Sequence, residues 1–227
     1  MLQTPFSMRL KNPLVGMAVS AALLSSASAV TLASYAFGTD LNVTSTAGNV
    51  TASAITGATG RSANSYAYRF TTAPAPYQMQ FSVTAAGGFV LDLSTISFRY
   101  DFLQSGGTVV NWNSTFDLYY STDGFATAGT LVQQFADTSG TALTSGGPAF
   151  NNSGNLDLSA LGDVNSISFR FVFANNSSPV LDTNTYRYAI DDIVVSGEVV
   201  SVPELSGSLL VAAGAGMISL RRRRQPR

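Results

Sequence analysis

The chain has 227 residues, 45% of them hydrophobic and 11% charged, enough for one ordinary domain with a core plus processing segments at its ends, but crowded for two domains. It contains no Cys and no His, which excludes a disulfide framework and thiolate chemistry and removes the commonest general base and metal ligand. The net charge of −1 conceals an asymmetry: seven of the twelve basic residues lie near the termini, and residues 30–204 hold five arginines against thirteen acidic residues, a balance of −8 that repels phosphate backbones and disfavours nucleic acid.

At the N-terminus, Arg9 and Lys11 precede an apolar stretch, Leu14 to Leu24, that ends in Ala27-Ser28-Ala29. A basic start, an apolar run and an A-x-A site make residues 1–29 a secretory signal peptide, helical until it is cleaved, and Met8 gives a tidier basic start than Met1. The mature chain is therefore expected to begin at Val30 and to be exported.

Residues 30–200 carry short apolar–polar alternations separated by Gly, Ser, Asn and Asp. In chain order these are 66–71, 77–83, 96–102, 116–121, 131–135, 167–173 and 186–196, each with a period of two. No helical period of comparable length interrupts them, so the crossover helices of a parallel sheet are missing. The expected fold is all-β, an antiparallel β-sandwich of jelly-roll type, flanked by the signal helix and a short apolar C-terminal helix.

Two stretches are near copies. Leu91-Asp92-Leu93-Ser94 leads into Ile96-Ser97-Phe98-Arg99, and Leu156-Asp157-Leu158-Ser159 leads, after a longer spacer, into Ile167-Ser168-Phe169-Arg170. Alternation puts Ile96, Phe98, Tyr100 and Phe102 on one face, and likewise Ile167, Phe169, Phe171 and Phe173. These faces are candidate core, with Arg99 and Arg170 pointing the other way, and the copies read as equivalent strands of the sandwich. Between them Trp112, flanked by Asn111 and Asn113, is a candidate sugar-stacking platform. Asp123-Gly124, directly after an alternating strand, signals a hairpin. Its context, Ser121-Thr122-Asp123-Gly124-Phe125, is similar to the S-x-D-x-G-x-T-W turn of sialidases, with Gly directly after the Asp and no Trp at the end.

The last strand contains Asp191-Asp192 among Ala189, Ile190, Ile193 and Val194. Strict alternation puts Asp191 on a face with Ala189, Ile193 and Val195, and Asp192 on the other with Ile190 and Val194. A carboxylate in apolar company needs a partner. Arg99, Arg170 or Arg187 could supply one. The rival is a structural Ca2+, which takes several oxygen ligands and suits an acidic exported protein. Jelly-roll modules of secreted bacterial proteins, which this body resembles, often hold such an ion near their first and last strands, and that resemblance implies Asp40 as a further ligand beside Asp191 and Asp192.

Catalysis lacks its usual parts. The glutamates are Glu198 and Glu204, both at the edge of the tail, and a serine nucleophile would find no His and, once the signal peptide leaves, no Lys. The chain is read as no enzyme.

Residues 201–227 close the chain with Val202-Pro203-Glu204, an apolar run of sixteen residues from Leu205 to Leu220, and Arg221, Arg222, Arg223 and Arg224. As a helix the run spans about 24 Å, short of a hydrocarbon core of about 30 Å, and six of its residues are Gly or Ser. The arginines would stay on the cytoplasmic side and leave the body outside. This three-part arrangement resembles the PEP-CTERM sorting signal of exopolysaccharide-producing Gram-negative bacteria, with Leu205 where that family usually has a second proline. The resemblance implies recognition by an exosortase, cleavage near Pro203-Glu204, a transient stay in the inner membrane, and a final place in the cell envelope or extracellular matrix. Two functions stand from these residues: a non-catalytic surface or matrix protein, and a lectin-like module that binds exopolysaccharide.

Overall fold

The computed structural model describes residues 29–61, 67–70, 77–104, 114–137, 150–175 and 186–203. The signal peptide, the apolar C-terminal run and the Arg cluster lie outside the described residues, as do Trp112 and Glu204. In chain order the strands are β1 (Val30–Tyr35), β2 (Ser45–Thr46), β3 (Val50–Ala52), β4 (Gly60–Arg61), β5 (Ala67–Phe70), β6 (Gln78–Ala85) and β7 (Phe89–Gln104). They continue with β8 (Ser114–Ser121), β9 (Thr130–Asp137), β10 (Asn151–Asn152), β11 (Leu156–Asp157), β12 (Asp163–Val164), β13 (Ser166–Asn175) and β14 (Tyr186–Ser201). Each of the seven stretches expected as strands holds a strand among its described residues, and one 3-10 turn at Ser159–Leu161 is the sole helical element among the described residues.

These strands form two antiparallel sheets. The spine of the first is β7 paired with β14 over their full length, from Phe89 opposite Ser201 to Gln104 opposite Tyr186. The free edge of β14 takes β5 beside its first half and β1 beside its second, while β12, β11 and β10 line up along the other edge of β7. The second sheet has the order β3-β6-β13-β8-β9. Its inward residues, among them Met79, Phe81, Phe116, Leu118, Phe169 and Phe171, meet Leu32, Tyr35, Ile96, Phe98, Ile190 and Ile193 of the first in one buried core. Aromatic rings carry much of this contact: Phe98 meets Phe171 edge-on at 5.0 Å, and Phe173 stacks on Tyr188 at 4.5 Å. The alternation of core and surface residues thus yields the expected β-sandwich.

The two near-copies part company after their shared start. Ile-Ser-Phe-Arg lies in β7 of one sheet and in β13 of the other. Leu91 and Leu93 belong to β7 itself, whereas Leu156 forms β11, which pairs back onto β7 at Ile96. The longer spacer then makes the 3-10 turn and β12 before the chain crosses to the second sheet. Leu156 and Leu158 still reach the core, so the repeated leucines keep their burial while the backbone around them differs.

Strict alternation fails in β14. Asp191 faces Arg99 and Val194 faces Ser97, so Asp192 and Ile193 together oppose Phe98. This is a β-bulge, and Asp192 adopts φ 44° to make it. Ile193 and Val195 consequently return to the core beside Ile190, and Asp191 shares the outer face with Ala189 rather than with them. A second irregularity follows where Ser196 pairs with Thr95 but Gly197 with Leu93. The extra residue now lies on β7, so the register is restored. Gly197 is required there, because a Cβ would come 2.2 Å from the Asp92 carbonyl oxygen.

Candidate functional site

The bulge places two carboxylates on one guanidinium. Arg99 Nη2 donates to Asp191 Oδ2 at 2.5 Å. Its Nε lies 2.9 Å from Asp192 Oδ2, off the line of a hydrogen bond, so that contact is an ion pair. Without the extra residue, successive side chains would point to opposite faces; with it, Asp191 and Asp192 both reach the outer face. The Asp191 side chain is 4% exposed against 42% for Arg99 and 49% for Asp192. Burial is the largest influence on Asp191 and holds its carboxyl above the ordinary value, against the lowering effects of the Asp192 amide and of Arg99. Asp101, two residues along β7 from Arg99, is also buried.

The turn after β10 lies over this cluster. Asn152 pairs with Arg99 across the strands, and Ser153 is stapled to Phe98 twice: its amide donates to the Phe98 carbonyl and the Phe98 amide donates to its Oγ, both at 2.9 Å. Gly154 takes φ 71° to turn the chain. The Arg99 guanidinium stands 5.0 Å from the Phe150 ring centroid, within cation–π range. Between the turn and the bulge is a cleft of ≈ 330 Å³ lined by Arg99, Asp192, Asn152, Asn155 and Ser97, among others. Of these, Arg99 and Asp192 were candidates from the sequence. The Asn151-Asn152-Ser153-Gly154-Asn155 turn was not, and its density of amides between two strands was the available signal.

The equivalent arginine of the second sheet has a different setting. Arg170 Nε and Nη2 donate to Gln80 Oε1 at 3.1 and 3.0 Å, and its guanidinium carbon lies 3.7 Å from the Phe125 ring centroid. Phe125 belongs to the β8–β9 hairpin, where Asp123-Gly124 turns the chain as expected, through a loop of residues 122–129. Ser121 Oγ donates to Asp123 Oδ1 and accepts from the Asp123 and Phe125 amides at 3.1 and 2.9 Å. Asp123 Oδ2 accepts from the Thr127 amide and hydroxyl at 3.1 and 2.6 Å. Those bonds, from Ser121 first and then Thr127, lower the Asp123 carboxyl to about 2. Ser121, Asp123 and Thr127 therefore keep the S-x-D-x-x-x-T spacing, with Phe125 at φ 65° where the sialidase turn has glycine. Thr127 carries no signal of its own in the sequence, because the glycine of the motif is displaced. Gly129 has to be glycine, since a Cβ would lie 2.4 Å from Phe125 Cε1 and 2.8 Å from the Tyr120 carbonyl.

Of the remaining candidates, Asp40 lies in the loop after β1, where its Oδ1 accepts from the Asn42 amide at 2.8 Å. Among the described residues no three Asp, Glu, His or Cys side chains converge as a cation site; Asp191 and Asp192 are brought together on Arg99. The Arg187 side chain lies outside the described residues. Val202 and Pro203 are exposed at the end of β14, with the Val202 amide donating to the Gly88 carbonyl at 2.9 Å.

No family model and no curated protein matches the chain. Among solved structures it is similar to a cleaved adhesin domain of Lys-gingipain from Porphyromonas gingivalis, at 12% identity and a TM-score of 0.38, over 74% of this chain and 98% of that one. It is also similar to the subviral particle of infectious bursal disease virus, at 14% identity and a TM-score of 0.27, over 80% of this chain and 51% of that one.

Proposed function

We propose that the chain is an exported, non-catalytic β-sandwich of jelly-roll type that an exosortase sorts through its C-terminal segment into the cell envelope or extracellular matrix. The observation that carries this reading is the position of the two processing junctions. The A-x-A site ends at Ala29 and β1 starts at Val30; the sorting motif starts at Val202 and β14 ends at Ser201. Val30 pairs with Gly197, so both ends of the domain leave the same pole of the first sheet. A tether at that pole would hold the sandwich by one end, within reach of a membrane-embedded enzyme, and cutting there would sever no strand.

The acidic pair is read as an arginine clamp rather than a calcium site, in support of which both carboxylates lie within 2.9 Å of Arg99. Intact mass spectrometry of the protein recovered from envelope and medium tests the sorting reading. The expected species begins near Val30 and ends near Glu204. Retention of Arg221 to Arg224 in most molecules would replace sorting by a lasting tail anchor.

A further inference from the structure

We propose that the cleft above Arg99 binds an uncharged saccharide, with Arg99, Asn152 and Asn155 donating hydrogen bonds to its hydroxyls and Asp192 accepting from them. The inference rests on the exported reading solely for where such a ligand would be met; the binding itself does not depend on how the chain is processed.

Hydroxyl groups both donate and accept, so a site for them needs both kinds of partner side by side. The cleft has them: a guanidinium 42% exposed, a carboxylate 49% exposed and two exposed amides on a volume of ≈ 330 Å³, near the lower end of the roughly 300–1,000 Å³ of small-molecule sites. The two charged groups are also held in place before any ligand arrives, and the backbone that carries the two amides is fixed. Arg99 is fixed by Asp191 at 2.5 Å, Asp192 at 2.9 Å and the Phe150 ring at 5.0 Å. Asp192 is aimed by its bulge at φ 44°, a conformation that costs a non-glycine residue energy and is kept where a side chain must be aimed. The asparagine turn is fixed by the two Ser153–Phe98 bonds. Arg99 and Asp192 therefore have little side-chain freedom left to lose on binding.

Charge selects among polar ligands. With both aspartates ionised the clamp carries one positive and two negative charges, and the body around it is acidic, so uronates, sulfates and phosphates are repelled. A divalent cation is disfavoured for the opposite reason: Asp191 is buried against Arg99, and the guanidinium lies 2.9 Å from the exposed carboxylate. Uncharged hydroxyls meet neither penalty.

The test is affinity electrophoresis of the full chain, in a polyoxyethylene detergent, through native gels cast with dextran, galactomannan, mixed-linkage β-glucan or alginate. At least one of the three neutral polymers should slow the protein, and alginate should not. Replacing both amides, Asn152→Ala with Asn155→Ala, removes exposed groups and should weaken retardation about tenfold, the loss of two modest hydrogen bonds, with an unchanged melting midpoint. Asp192→Asn keeps the shape and tolerates the same backbone conformation, and should weaken retardation as well. Passage through all three neutral gels at the unretarded rate, retardation by alginate alone, or retardation untouched by both variants would each overturn the proposal.

Discussion

Arg99 and Arg170 occupy the same place in two copies of Ile-Ser-Phe-Arg, on the outer faces of opposite sheets, and each guanidinium stands over a phenylalanine ring, yet their polar partners differ in kind. Arg170 looks across an unbroken register at Gln80 and lies on an aromatic ring; its partners are uncharged. Arg99 looks across a broken register at Asp191 and holds a second carboxylate that the break delivers. The strand that carries each arginine does not decide this. The neighbouring strand does, through one inserted residue at φ 44°. A short motif therefore fixes which face an arginine occupies and leaves its chemistry to a partner more than ninety residues away along the chain in one copy.

The two arginines differ most when each is removed. Arg99→Met leaves the Asp191 carboxylate buried without its cation and should destabilise the fold by about 3 kcal/mol at neutral pH, the lower end for a broken buried pair because Arg99 is part-exposed. Gly129→Ala drives a methyl group into the Phe125 ring and the Tyr120 carbonyl, and overpacking of this kind costs about 2 kcal/mol; it should also displace the ring beneath Arg170. Arg170→Met loses a cation–π contact and bonds to a neutral amide, worth about 1 kcal/mol together. Urea unfolding of the three variants ranks them. Equal losses for Arg99→Met and Arg170→Met would remove the distinction between the two sites.

Acid separates the two sheets by sign. Burial raises Asp191 above its ordinary value of 3.8, so the folded chain binds that proton more tightly than the unfolded chain. The stability from this site is complete below the unfolded value and is lost as pH rises through the folded one. Asp123 is lowered to about 2 by Ser121 and Thr127, so its contribution is present above the unfolded value and is lost as pH falls towards about 2. Asp123→Asn should flatten the acid decline between about pH 4 and 2, set by the ordinary carboxylate value. Asp191→Asn should instead remove a gain in stability on mild acidification. Unfolding midpoints of both variants across that range check the pair, and slopes of the same sign would contradict the contrast.

The sequence revealed what periodicity controls. Seven strands (β5 to β9, β13 and β14), the buried Phe faces of the two copies and the outward arginines all follow from a period of two and from where Gly, Asn and Asp interrupt it, whereas the six-residue β1 was not among the stretches read. The two-residue strands β2, β4, β10, β11 and β12 carry no period at all, which is why the asparagine turn over Arg99 escaped notice. Alternation also misled at Asp191-Asp192, because a bulge adds one residue to the count and neither aspartate nor isoleucine announces it. Choosing among Arg99, Arg170 and Arg187 required the register of β7 against β14, a long-range property that local pattern does not contain.

The central structural claim is that Asp191 and Asp192 belong to Arg99. Thermal unfolding with millimolar calcium and again with EGTA addresses it most directly, since any ion bound to the folded state raises its midpoint. The account predicts coincident midpoints in the two conditions for the unmodified chain. A calcium-dependent rise that vanishes in Asp191→Asn and Asp192→Asn would contradict it and return the two carboxylates to a cation site.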